Sequence, residues 1–171
     1  IRDIGVTGVQ TCALPICAEE GLRRLAAAHP GSLDVVIGFD EGLAHLVQAG
    51  ADMLLIPSLY EPCGLTQLYA FRYGTIPIVR ATGGLADTVV DATPEALLAG
   101  TASGFAFEHA DAGGIAWAVD RALALHADAP RWAGLVERVM GQDWSWERSA
   151  GAYIDLYREV LAAPPVPLDV P

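Results

Sequence analysis

The run Asp52-Met-Leu-Leu-Ile56, closed by Pro57, limits the fold more than any other part of the chain. A short apolar stretch without alternating polar residues suits a strand buried on both faces, the environment of a parallel sheet under helices. The next residues narrow the possibilities further. Pro57-Ser-Leu-Tyr-Glu-Pro-Cys-Gly64 has no period, and a helical pattern then opens near Leu65 or Thr66 and runs to about Tyr73, stopped by Gly74. Glu61 therefore belongs to a loop at the carboxyl end of a strand, the edge where open α/β sheets place their ligands. At the helix start the N–H groups of Gly64, Leu65 and Thr66 are unpaired, and with the positive end of the helix dipole they suit an anion.

Strand and helix patterns alternate from Ala18 onward. A helix from about Glu19 to Ala28 stops at His29-Pro30-Gly31. Asp34 to Gly38 reads as a β-branched strand, and a helix from about Glu41 to Ala49 is capped by Asp40 and ended by Gly50. After the Asp52 to Ile56 strand and the Thr66 to Tyr73 helix come a strand from Thr75 to Val79 and a flexible Gly83-Gly84 loop. Thr93-Pro94-Glu95 supplies a cap, a first-turn proline and a first-turn acid for a short helix to Ala99 before Gly100. Gly104 to Phe107 is a last short strand, and helices come after it near Ala112 to His126, Ala129 to Met140 and Ser145 to Ala162. In the final helix Ala150, Tyr153, Ile154, Tyr157, Val160 and Leu161 form one apolar stripe. This alternation predicts an α/β fold, a parallel sheet with helices on both faces followed by carboxy-terminal helices.

Both ends differ from the middle. Residues 1–17 have no sustained period and resemble translated adapter sequence, non-native to the fold; the alternative is a strand from Ile4 to Val9. Residues 164–171 are proline-rich and expected to be disordered, leaving 18–163 as the folded part.

A chain of 171 residues with 53% hydrophobic content can bury a core of its own. Its 21 acidic against 10 basic residues, a net charge of -11, argue against a nucleic-acid partner that must be met by many cations. No apolar run reaches the ~18 residues of a membrane span and no signal-peptide pattern is seen, so a cytoplasmic location is expected. Cys12, Cys17 and Cys63 are odd in number and lack zinc-ligand spacing, so neither a disulfide framework nor a metal site is indicated.

Residues Gly50 to Arg80, with Pro57-Ser-Leu-Tyr-Glu-Pro-Cys-Gly-Leu-Thr-Gln-Leu-Tyr69 at their centre, closely resemble bacterial glycogen synthase and plant starch synthase. Thr82-Gly-Gly-Leu-Ala-Asp-Thr-Val89, Ser103-Gly-Phe105 and Trp144-Ser-Trp146 come after them at fitting positions, and the resemblance covers about residues 18 to 162. It implies a glycosyltransferase with two Rossmann-like domains facing across a cleft. Such an enzyme transfers glucose from ADP-glucose to the non-reducing end of an α-1,4-glucan, with retention and without a metal or other cofactor. This chain would be part of the carboxy-terminal domain. Related retaining transferases usually carry a second Glu eight residues after the first; glycogen and starch synthases share the aromatic replacement seen here as Tyr69.

The same resemblance assigns roles. Glu61 matches the active-site glutamate that contacts the donor glucose and stabilises an oxocarbenium-like transition state. Gly64, Leu65 and Thr66 would bind the ADP diphosphate, against the plainer reading of an ordinary helix cap. Cys63 lines the sugar pocket or is simply a small buried thiol. Phe39 stacks on adenine or is a core aromatic at a strand end. Asp87 is expected to cap or brace a turn, His45 to be a packing or surface group, and Arg80 to make a surface salt bridge, the alternative being that it helps neutralise phosphate. The resemblance also implies a partner domain, the amino-terminal domain with the acceptor wall, and, within the carboxy-terminal domain, two first strands whose neighbouring loop carries basic residues for the phosphates. In the sheet order 3-2-1-4-5-6, the strand at Asp34 to Gly38 is third and that at Asp52 to Ile56 fourth, so they flank those two strands and do not pair. The gap is left open or filled by residues 4 to 10, and the isolated chain is expected to be only marginally stable. A cooperative melt at high temperature in a calorimetric scan would contradict this.

Overall fold

The computed structural model describes residues 16–162. The Ile4 to Val9 strand, the filling of the sheet by residues 4 to 10, Cys12 and the 164–171 tail lie outside the described residues. The described residues divide into two compact units, the first ending at Gly141 and the second beginning at Gln142.

The first unit opens with helices α1 (Ile16–Ala28) and α2 (Glu41–Gly50). Strand β1 (Met53–Ile56), helix α3 (Thr66–Tyr73) and strand β2 (Ile76–Arg80) come next. Then come short helices α4 (Gly83–Thr88) and α5 (Pro94–Ala99), strand β3 (Phe105–Phe107), and helices α6 (Ala112–His126) and α7 (Ala129–Met140). The strands form one parallel three-stranded sheet in the order β1-β2-β3. That is the run of neighbours expected for the fourth, fifth and sixth strands of a doubly wound sheet.

In β2, Ile76, Pro77, Ile78 and Val79 are all buried. Successive side chains point to opposite faces, so both faces of the central strand are covered. Helix α3 lies against β1 and β2, α6 against β2 and β3, and α4 and α7 against β2. Phe71 of α3, Phe105 of β3, and Leu135 and Val139 of α7 complete the core. Burying a side chain of that size contributes about 1.5–3 kcal/mol.

Strand β1 differs from expectation. Leu54 and Ile56 are buried, whereas Met53 and Leu55 are only half covered. The apolar run is therefore covered fully on one face and partly on the other, because β1 is the edge of the described sheet. The predicted strand at Asp34 to Gly38 does not form; the segment is an irregular loop. A strand holds its shape by exchanging backbone hydrogen bonds with a neighbour, and among the described residues none lies beside this segment.

Helix ends obey their local chemistry. Asp40 accepts from the Leu43 N–H at 2.9 Å and starts α2, and Thr93 accepts from the Ala96 N–H at 3.1 Å to start α5. Gly74 closes α3 in the left-handed region at φ 79. Gly50 does not act in that way: it is the last residue of α2, and the extended Ala51 comes after it. Thr75, fully buried, directs its hydroxyl to the carbonyls of Gln48 and Ala51 and so ties the end of α2 to the start of β2. Helix α1 begins at Ile16, two residues ahead of the expected boundary at Ala18.

The second unit holds α8 (Trp146–Ala162). Its entry is fixed locally: Asp143 accepts from the Ser145 N–H at 2.9 Å, and hydrogen bonds from Ser145 hold that carboxyl below its usual range. Tyr153, Ile154, Tyr157 and Leu161 are all exposed.

Asp91 joins three pieces of the first unit. Its carboxylate takes both Arg121 guanidinium nitrogens at 3.0 Å and the Ala106 N–H at 2.9 Å, linking α6 and β3 to the loop before α5. Asp91→Ala leaves the Ala106 N–H unpaired and Arg121 with only the Ala92 carbonyl as a hydrogen-bond acceptor, and is expected to cost about 2–3 kcal/mol. A urea titration monitored by circular dichroism checks this, and an unchanged midpoint contradicts it.

Candidate functional site

The carboxyl ends of β1 and β2 support the loop from Pro57 to Leu65. Glu61 is half-buried, and its carboxylate Oε2 accepts from the Ser58 hydroxyl at 3.2 Å. Arg80, the last residue of β2, holds the same loop from beneath. Its Nη1 donates to the Leu59 carbonyl at 2.7 Å and the Ser58 carbonyl at 3.4 Å, while Nε reaches the Glu108 carbonyl at 3.3 Å. The expected surface salt bridge is thus replaced by a clamp on backbone carbonyls. A guanidinium carries several donors in a fixed plane, and three carbonyls converge on it here.

The Gly83-Gly84 pair, expected to be a flexible loop, begins α4 instead. The reason is contact. A Cβ on Gly83 would overlap the Glu61 carbonyl oxygen and one on Gly84 the Cys63 carbonyl oxygen. With no side chains in the way, the Gly84 N–H donates to the Glu61 carbonyl at 3.0 Å. Asp87 lies exposed on α4; the acid that braces this region is Asp91.

Gly64 turns the chain into α3 at φ 69 and is buried. Helix α3 begins after Leu65 with no side-chain cap. Leu68 and Tyr69 N–H groups bond to the Leu65 carbonyl at 3.0 Å, which leaves the earlier N–H groups to a ligand or to water. Leu65 is exposed and Thr66 half-buried. Cys63 is exposed, so the reading of a small buried thiol does not hold. Phe39 is 81% exposed in the loop before α2, so it is not a core aromatic either. With no strand at Asp34 to Gly38 there is no strand end for it to fill. The structure brings Glu61, Cys63, Gly64, Leu65 and Thr66 together on one loop over α4; among the described residues nothing joins Phe39 to them.

His45 on α2 packs edge-on against Tyr69 and Tyr73, with ring centroids 5.5 and 5.8 Å apart, and its Nδ1 lies 3.1 Å from the Tyr73 hydroxyl. It is a packing residue between α2 and α3. Gln67 and Thr88, neither of which stands out as a site residue in the sequence, lie beneath the loop: Gln67 Nε2 donates to the Gly64 carbonyl at 2.6 Å and to Thr88 Oγ1 at 3.0 Å. The available signal was a glutamine on the same helical face as Ala70 and Phe71, both core residues. Among the described residues no group of three or more His, Cys, Asp or Glu side chains could hold a metal. A recess lined by Asp52, Tyr73, Gly74, Trp132, Val136 and Met140 lies at the amino-terminal ends of β1 and β2, away from Glu61.

Residues 20–133 match the family described as glycosyl transferases group 1. The chain is 54% identical over 142 residues to a glycogen synthase of Paramagnetospirillum magneticum, covering 83% of this chain and 29% of that protein. It is 56% identical over 144 residues to glycogen synthase 1 of Methylococcus capsulatus, covering 84% and 29%. Among solved structures, the catalytic domain of starch synthase IV from Arabidopsis thaliana, bound to ADP and acarbose, superposes with a TM-score of 0.75 at 39% identity, over 86% of this chain and 30% of that one. Sucrose-phosphate synthase from Thermosynechococcus elongatus is less similar, with a TM-score of 0.57 at 28% identity, over 94% and 38%. The chain therefore spans about 29% of the length of these curated relatives.

Close approach at Gly84 has a measurable consequence. Gly84→Ala forces α4 away from the Cys63 carbonyl and is expected to cost about 1–3 kcal/mol. Gly134→Ala, on an exposed stretch of α7 with no atom within 4 Å of the new methyl, is expected to stabilise by up to about 1 kcal/mol. Urea melts of the pair read the contrast, and equal effects would refute the contact.

Proposed function

The chain belongs to the glycosyl transferases group 1 family, and on that footing we propose that it forms the donor half of an enzyme moving glucose from ADP-glucose to the non-reducing end of an α-1,4-glucan, with retention. The observation that carries this is the uncapped start of α3 beside the Glu61 loop at the carboxyl edge of the sheet. In this reading the glycosidic bond to the diphosphate breaks between two fixed sets of charges. The Glu61 carboxylate, oriented by Ser58, faces the sugar and stabilises positive charge growing at the anomeric carbon. The N–H groups of Leu65 and Thr66, the Thr66 hydroxyl and the α3 dipole accept the negative charge growing on the leaving diphosphate. Gly64 has no side chain to keep the phosphate at a distance.

Cys63 is exposed on the same loop and lines the sugar pocket, and the free face of Phe39 stacks on adenine. The glucan acceptor belongs to the amino-terminal domain of the same enzyme, and further phosphate-binding cations to the loop beside the first two strands of the carboxy-terminal domain. A cytoplasmic location accompanies the reading, consistent with no helix among the described residues being long and apolar enough to cross a membrane. Identity of 54% with a glycogen synthase through this segment supports glycogen synthesis over another acceptor.

The test grafts residues 19–162 in place of the equivalent segment of the full-length Paramagnetospirillum enzyme. Glu61→Gln is expected to lower kcat about 100- to 1,000-fold with ADP affinity retained. Thr66→Val is expected to weaken ADP binding several-fold. Competition between ADP-glucose and UDP-glucose reads the base preference. Full turnover by the Glu61→Gln chimera would refute the assignment.

A further inference from the structure

We propose that Gln67 and Thr88 are positioning residues for the diphosphate end of this site, acting through a hydrogen-bond relay that joins α3, α4 and the Glu61 loop; the inference rests on the donor reading of that site. Gln67 is fully buried in the first turn of α3. Its Nε2 donates to the Gly64 carbonyl at 2.6 Å and to Thr88 Oγ1 at 3.0 Å. The Thr88 hydroxyl in turn donates to the Gly84 carbonyl at 2.6 Å, and the Gly84 N–H donates to the Glu61 carbonyl at 3.0 Å. Donors and acceptors keep one consistent order, amide to hydroxyl to carbonyl, so the Thr88 proton is already committed. Both ends of the loop, Glu61 and Gly64, are thereby referred to the same short helix.

Peptide geometry gives the relay its effect. In a planar trans peptide a carbonyl and the following N–H point in opposite directions. Gln67 holds the Gly64 carbonyl, so the Leu65 N–H is turned away from Gln67. That N–H lies at the uncapped start of α3, where an anion meets the helix. Gly64, at φ 69, has more backbone freedom than any other residue type, and the hydrogen bond from Gln67 selects one of its conformations.

A second observation separates this role from packing. Gln67 Oε1 is buried with no hydrogen-bond partner among the described residues. Burying an amide with its oxygen unpaired costs stability, so leucine or methionine would fill the space better. What the glutamine adds is the Nε2 donor. A sequence without that need has no use for a buried polar group at this position of α3.

Thr88→Val removes the hydroxyl at nearly constant shape and tests the relay in the full-length chimera. Affinity for ADP and kcat/KM for ADP-glucose are expected to fall about fivefold to tenfold, with the KM for glucan unchanged. Thr88→Ser, which restores the hydroxyl, is expected to recover the loss. Unchanged donor kinetics in Thr88→Val, or a loss that Thr88→Ser does not recover, would overturn the proposal. If the unsubstituted chimera fails to use ADP-glucose, the donor reading has failed and not this one. Amide hydrogen exchange on the 171-residue chain then decides. Protection at Gly84, Leu68 and Tyr69 is expected to drop in Thr88→Val while Val79 in β2 keeps its own; equal protection in both proteins overturns the relay.

Discussion

Strand β2 is buried on both faces, and the rest of the first unit is arranged by that requirement. A strand of this kind has no side of its own to give to water, so helices must cover it above and below. Its two ends then become the only places where polar chemistry can attach. At one end Thr75 holds α2 through the Gln48 and Ala51 carbonyls, and at the other Arg80 holds the Glu61 loop through the Leu59, Ser58 and Glu108 carbonyls. One strand thus supplies the core, an anchor for the helix before β1 and the support of the site.

The loop itself is held twice. Arg80 grips its first half, and α4 receives its second half through the Gly84 N–H and the Gln67–Thr88 pair. Rigid support of this kind suits a group that must be placed before charge develops, because reorganisation during the reaction is avoided. It also explains why two adjacent glycines begin a helix of six residues: the helix is there to approach a backbone closely, and any side chain would hold it off.

Much of this is legible along the chain. Asp40, Thr93 and Gly74 mark helix ends by local chemistry, and each acts where its residue type suggests. The strand at Asp34 to Gly38 is not legible in the same way. Its β-branched composition is suited to a sheet, but pairing depends on a neighbour that its own residues do not encode. Arg80 and Asp87 look alike in sequence, as charges with no evident partner. In the structure Arg80 binds carbonyls from two loops, while Asp87 lies exposed and Asp91 does the bracing.

The sequence alone determined the order of the elements apart from the strand at Asp34 to Gly38 and helix α4, the placing of Glu61 before a glycine-opened helix, and the resemblance that the family match bears out. These are local properties, carried by apolar spacing, caps and a continuous motif. Only the tertiary structure decided that Gly83 and Gly84 lie under the Glu61 and Cys63 carbonyls, that Arg80 clamps the loop, and that Gln67 reaches Thr88. Gln67 and Thr88 are twenty-one residues apart, and Arg80 and Leu59 the same. Hydrogen bonds between such positions depend on how the helices settle on the sheet, which no window of sequence contains.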